Sequence, residues 1–379
     1  MTEVQEKPQQ KKLRQGYTTG ACATAATKAA LIALITNEPQ TETTIYLPVG
    51  RFATFQIEGC EISANEKVSA TVIKDGGDDP DATHGAEIIA TVTWTNQPGI
   101  SLDGGIGVGR VTKEGLPIQV GEAAINPVPR QKIAETAEQV LQEFAIEKGV
   151  QIVISVPDGV EIAKKTLNGR LGILGGISIL GTRGIVVPFS TSAYKASIVQ
   201  ALNVARASGC EHVVITTGGR SEKYAMQKYP HLPEEAFIEM GDFVGFTLKQ
   251  CKRVGLKRVS MVGMMGKFSK VAQGVMMVHS KSAEVDFSFL AKIAAEAGAP
   301  VEYYEKIIGA NTASQVGDMM VAAEIHSFFA KLCEYCCSEA LKEVGGGIEV
   351  SMTLYTLKGE FLGEAVRSGE INEDDWNRR

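Results

Sequence analysis

Short β-branched runs at residues 44–47, 52–57, 68–73 and 87–94 are separated by Gly, Pro, Asn and Asp. That spacing predicts strands of an antiparallel or mixed sheet. Ahead of them, residues 21–35 form an alanine-rich stretch without proline, entered through Thr18-Thr19-Gly20, which predicts a helix capped by a threonine. A second helix is expected over 130–148, where Pro129 suits the first turn. The rhythm changes after residue 150. Apolar strands at 151–156, 212–216 and 258–262 alternate with helical stretches at 193–207, 243–254 and 283–297, as in a parallel sheet with crossover helices. A further helical pattern covers 321–344. Ile348, Val350, Met352 and Leu354 alternate in a final strand over 347–357.

A chain of 379 residues exceeds what one hydrophobic core usually supports, so two domains are expected. The fold class is therefore α+β followed by α/β: a polar tail at 1–12, an N-terminal α+β domain at 13–149, and a Rossmann-like parallel-sheet domain at 150–379 with C-terminal helices and the last strand.

Lys and Arg number 38 against 44 Asp and Glu, a net charge of −6, so no global field draws a polyanion and nucleic acid is not an expected partner. The best membrane-span candidate, residues 171–189, is broken by Arg183 and five glycines, and no membrane partner is expected. The tail at 1–12 lacks the apolar core of a secretory signal, which points to a cytoplasmic protein. Seven cysteines then read as reduced thiols. Cys333, Cys336 and Cys337 fall on one helical pattern without a second ligand pair, so they are expected to form a small apolar face and no protein-bound metal is anticipated.

Four segments carry candidate chemistry. Gly16-Tyr17-Thr18-Thr19-Gly20 precedes a helix, where unbonded N–H groups favour an anion. Residues 74–85 place Asp75, Asp78, Asp79, Asp81 and His84 together. Such crowding is expected to raise one aspartate's pKa, or to set His84 against an aspartate, giving a group able to exchange a proton; a plain acidic turn is the alternative. Residues 103–113 hold Gly104, Gly105, Gly107 and Gly109, yet no helix is expected after them, so the standard dinucleotide loop is absent. Residues 168–184 combine Gly169, Gly172, Gly175, Gly176, Gly181 and Gly184 with apolar neighbours, suiting either a ligand pocket or close packing. Glycine turns at Thr217-Gly218-Gly219 and Gly263-Met264-Met265-Gly266-Lys267 follow later strands, where open α/β sheets bind ligands. His279, Ser280 and Asp286 lack a nucleophile elbow, and His279 reads as structural.

Taken in order, the blocks 16–20, 75–85, 104–112, 124–130, 171–188 and 266–279 resemble the CbiD family, the cobalt-precorrin-5B C-1-methyltransferases of anaerobic cobalamin synthesis. Beyond residue 290 the resemblance rests on length and helical character alone. It implies methyl transfer from S-adenosylmethionine to C-1 of a cobalt-bearing contracted tetrapyrrole, giving cobalt-precorrin-6A; the cobalt belongs to the substrate. The residues expected to act are then Asp75, Asp78 and His84 in catalysis. Gly104, Gly105, Gly107, Gly175, Gly176, Ser178, Gly181, Thr182, Gly218 and Gly219 are expected around the methyl donor. Thr18, Thr19, Arg110, Lys113, Asn126, Arg130, Arg170 and Lys267 are expected on the substrate carboxylates. A nucleotide-dependent oxidoreductase and a non-catalytic tetrapyrrole carrier are the alternatives, and the sequence leaves a homodimer open.

Overall fold

A computed structural model describes residues 13–63, 67–280 and 282–369; the tail expected at 1–12 lies outside them. The chain forms two compact units that divide after Ser190, not at 149/150 as the change of rhythm suggests. The reason is one strand, Gly149–Ser155, which completes the first sheet.

The first unit is built round helix α1 (Thr19–Thr36). Thr18 Oγ1 accepts from Ala21 N at 3.2 Å, and Asn37 closes the other end at φ 57°. This is the one described helix long and apolar enough to cross a membrane. Its buried positions run almost unbroken from Thr19 to Ala33, and they pack on a sheet and on α2 (Pro127–Glu143). Small side chains permit the approach: a Cβ on Gly20 would stand 2.6 Å from Pro129. Helix α2 begins at Pro127 and stops at Glu143, before the expected 148, because Ala145 turns to φ 54°.

A hairpin, β1 (Glu42–Leu47) with β2 (Arg51–Gln56), flanks α1. The main sheet contains β3 (Gly59–Ser63), β4 (Lys67–Ile73), β5 (Glu87–Thr95), β6 (Ile100–Gly104) and β7 (Gly149–Ser155), in the order β3-β4-β5-β7-β6. All pairs are antiparallel except β7 with β6. On β4 and β5, Val68, Ala70, Val72, Ile88, Ala90 and Val92 face inward at period two.

The second unit opens with α3 (Thr191–Ala207), β8 (His212–Thr216), α4 (Gly219–Lys228), β9 (Phe237–Glu239) and α5 (Val244–Arg253). It continues through β10 (Arg258–Met264), α6 (Met265–Ala272), several shorter helices, α7 (Ser327–Val344), β11 (Glu349–Tyr355) and β12 (Phe361–Ser368). The sheet order is β9-β8-β10-β11-β12, parallel except for the antiparallel edge strand β12. Counted from β8, the parallel strands run 2-1-3-4, so direction reverses between β8 and β10; this is not the Rossmann order. The pattern expected over 321–344 is two helices, because Glu324 adopts φ 58° and separates Ala313–Ala322 from α7. Cys333, Cys336 and Cys337 lie in the core along α7, and burial pushes the Cys333 and Cys336 thiols well above their ordinary pKa. Asp286 caps the helix Phe287–Glu296 by accepting from Phe289 N, which gives it a structural role.

Candidate functional site

Four of the glycine-bearing segments singled out above converge in the first unit through backbone hydrogen bonds. Gly16-Tyr17 pairs antiparallel with Ile185-Val186, and Tyr17 N donates to Asp75 O at 2.7 Å. Gly107-Val108 runs parallel to Gly176-Ile177, and Arg110-Val111 antiparallel to Ile173-Leu174. Asn126 N donates to Ile179 O at 2.9 Å, and Gly20 N to Leu180 O at 3.0 Å.

Most of these glycines meet the protein's own chain. A Cβ on Gly107 would lie 1.8 Å from Val156 O, and one on Gly176 would lie 2.0 Å from Gly107 O. Gly104 meets Val108 and Ala123, Gly105 meets Ser155, and Gly181 meets Thr18, each at 2.8 Å or less. Packing thus accounts for Gly104, Gly105, Gly107, Gly176 and Gly181. Ser178 is buried, with its hydroxyl 3.4 Å from Asn168 Oδ1. Gly175 differs: at φ 83° a Cβ there would meet nothing within 4 Å, and both it and Thr182 are exposed.

The acidic loop after β4 is closed by cations. Arg14 forks onto Asp75 through both terminal nitrogens, and its backbone N donates to Asp78 Oδ2 at 2.6 Å. The Arg14 bond, helped by Gly77 N, lowers the Asp75 pKa to about 2. Lys74, only 1% exposed, donates to Asp81 Oδ2 at 2.6 Å. Burial alone would push Asp81 up, but Lys74 and Thr83 hold it below its ordinary value. Crowding therefore does not raise the aspartates that shift here: Asp75 and Asp81 both go down. His84 Nδ1 lies 3.8 Å from Asp75 Oδ1, but it accepts Gly76 N–H at 3.0 Å. That bond assigns the ring proton to Nε2, so the nitrogen facing Asp75 does not carry it.

The expected substrate residues separate into engaged and presented groups. Thr18 caps α1, and Thr19 Oγ1 accepts from Leu180 N at 2.9 Å. Asn126 precedes α2 and makes no side-chain cap bond. Arg110 pairs with Asp103 at 2.8 Å while remaining about half exposed, and its bond lowers the Asp103 pKa. Directly across from Arg110 is exposed Leu174. The Lys113 stem covers Gly172, Arg130 lies 3.8 Å from Glu122, and Arg170 is half-buried.

In the second unit, the turns after β8 and β10 flank the reversal of strand order. Gly218 takes φ 152°, ψ 172°, a conformation open essentially to glycine alone. Side chains built on Gly219 and Gly266 would meet nothing within 4 Å. Lys267 reaches Asp242 Oδ1 at 2.9 Å. Tyr194, seated against Gly241, donates to Glu239 Oε1 at 3.4 Å; burial and the Glu239 charge raise its pKa. Neither Glu239 nor Tyr194 stood out in the sequence. The signal was a strand of three residues too short to recognise alone. Among the described residues no three His, Cys, Asp or Glu side chains are grouped to hold a metal ion.

These features define a two-unit α/β protein with a glycine-stitched N-terminal unit and a parallel-sheet C-terminal unit with bare glycines after β8 and β10. The chain belongs to the CbiD family: residues 6–188 match the CbiD model and residues 277–366 match the model "CbiD, C-terminal domain". The second match shows that likeness beyond residue 290 extends past length and helical character. A Priestia megaterium protein named cobalt-precorrin-5B C(1)-methyltransferase is 72% identical, covering 97% of this chain and all of its own. A protein of the same name from Geobacillus sp. (strain WCH70) is 72% identical over 94% of this chain and 98% of its own. A crystal structure of cobalamin biosynthesis protein (cbiD) from Archaeoglobus fulgidus is 31% identical, covers 67% of this chain and 78% of its own, and superposes with a TM-score of 0.38.

Proposed function

We propose that this protein methylates C-1 of cobalt-precorrin-5B with S-adenosylmethionine, giving cobalt-precorrin-6A and S-adenosylhomocysteine. The observation that carries this is the 72% identity, over 97% of the chain, to a relative bearing that name. In the reaction the ring carbon attacks the sulfonium methyl, a C–C bond forms, and the C–S bond breaks with its electron pair passing to sulfur. The carbon is its own nucleophile, so the protein's work is to position the partners, exclude water and match charge.

The first unit offers what a carboxylate-fringed macrocycle requires. Exposed Leu174 beside Arg110 combines an apolar surface with a guanidinium, and Lys113 and Arg130 are further cations for acetate and propionate groups. Asp75, held ionised by Arg14, acts as a fixed negative charge and not as a base. His84 presents Nε2–H as a donor. Bare backbone at Gly218 and Gly219 suits the flat nucleoside of the methyl donor.

The test is turnover with methyl-labelled S-adenosylmethionine and cobalt-precorrin-5B. Label should enter the corrinoid with one S-adenosylhomocysteine released per product. Reduction or oxidation of the corrinoid by NAD(P)H or NAD(P), without label transfer, would replace the proposal with an oxidoreductase.

A further inference from the structure

The carboxyl edge of the parallel sheet in the second unit holds a carboxylate with no part in the chemistry above. Glu239 ends β9, the strand beside β8 and next after it in the chain. It is exposed, and a Cβ built on Gly218 would stand 3.9 Å from its Oε1. The carboxylate therefore overhangs the glycine turn that follows the first parallel strand. It lies 21 residues beyond Gly218, near the separation of about 20 at which an acidic side chain meets a ribose in dinucleotide-binding sheets. At the end of β8, the buried Thr216 Oγ1 has no hydrogen-bond partner among the described residues. Beyond β10, Gly266 leaves the other side of the switch point equally bare.

The charges at this edge favour one class of ligand. Glu239 lies there beside Asp242, whose charge Lys267 offsets at 2.9 Å, and the first turn of α4 carries Arg220 as well as Glu222. A 2′-phosphate set against Glu239 itself meets like charge. A nucleoside bearing a sulfonium meets none. A carboxylate is an acceptor with two oxygens, and a ribose diol supplies two O–H donors.

We propose that Glu239 accepts hydrogen bonds from the 2′- and 3′-hydroxyls of the methyl donor's ribose, which lies over Gly218 and Gly219, with Tyr194 orienting the carboxylate. This rests on the donor reading of the preceding subsection.

Calorimetric titration tests it with S-adenosylhomocysteine and its 2′-deoxy analogue, against the full-length protein and Glu239→Gln, with and without the corrinoid. Hydrogen bonds to a charged group of this kind correspond to about tenfold to a hundredfold in Kd. The wild type should prefer S-adenosylhomocysteine over the deoxy analogue by about that factor, whereas Glu239→Gln should bind both equally weakly. The ligand-side comparison on the wild type needs no substitution and so does not depend on the variant's folding. Equal binding of the two ligands by the wild type, or undiminished discrimination by Glu239→Gln, overturns the assignment while leaving the donor intact. A wild type that takes up no S-adenosylhomocysteine under either condition overturns the donor reading and Glu239's role together.

Discussion

At the scale of single residues, what a glycine faces separates packing from recognition. Gly107 and Gly176 abut backbone, so Gly107→Ala should cost about 3 kcal/mol or more through overpacking and a positive φ, read as a lowered denaturation midpoint. Gly175→Ala meets open space and should cost only about 1 kcal/mol, the intrinsic penalty of its left-handed backbone. Another residue-scale expectation concerns His212, whose Nε2 bonds Ser260 Oγ at 2.8 Å. Burial, then the Arg258 charge, lowers its pKa to about 4 from 6.5. The folded state thus binds the proton less readily than the unfolded chain. Stability is full above pH 6.5, falls as pH drops from 6.5 towards 4, and levels off below. Urea midpoints across that window should show the slope in the wild type and a flatter line in His212→Gln.

At the scale of elements, the loop after β4 depends on one buried ion pair. Removing its cation in Lys74→Ala strands Asp81 in a site built for a charge, at an expected cost of about 3–5 kcal/mol. Lys74→Met combined with Asp81→Leu should recover much of that loss, and chemical denaturation of the two variants measures the difference. The crowding of carboxylates at 75–81 was plain in the sequence. The closing cation at Arg14 was not, because it stands 61 residues away in the chain and no local pattern encodes that pairing. The same limit explains why the units divide after Ser190 and not at 149/150: residues 151–156 read as a strand, but only partner choice puts β7 between β5 and β6. Periodicity gave α1, β8, β10 and α3 nearly to the residue. It missed α4, which is mostly polar and begins at glycine, and β9, which is three residues long. Glu239 escaped notice with it, since adjacency of β9 to β8 is what brings that side chain over Gly218.

At the scale of the whole molecule, each unit carries its own sheet and buried side chains, and the first family match ends at residue 188, beside the division after Ser190. Fragments 1–190 and 191–379 should therefore each unfold cooperatively when expressed alone, with separate melting transitions by circular dichroism. A fragment ending at 149 should not, because it lacks β7 and the 173–186 segment that pairs with 16–17 and 107–111.

The hydrogen bonds from Gly16, Thr18 and Gly20 to residues 180–186 also set a timetable for biosynthesis. The most apolar helix leaves the ribosome well before the residues that clasp its start, which follow some 160 residues later, a delay on the order of ten seconds at about 5–20 residues per second. Throughout that interval the sticky N-terminal helix lacks its glycine clasp, and the strand β7 that completes its sheet is made only at residues 149–155. Chaperone capture on stalled nascent chains should accordingly peak before residue 186 is exposed and decline once it is.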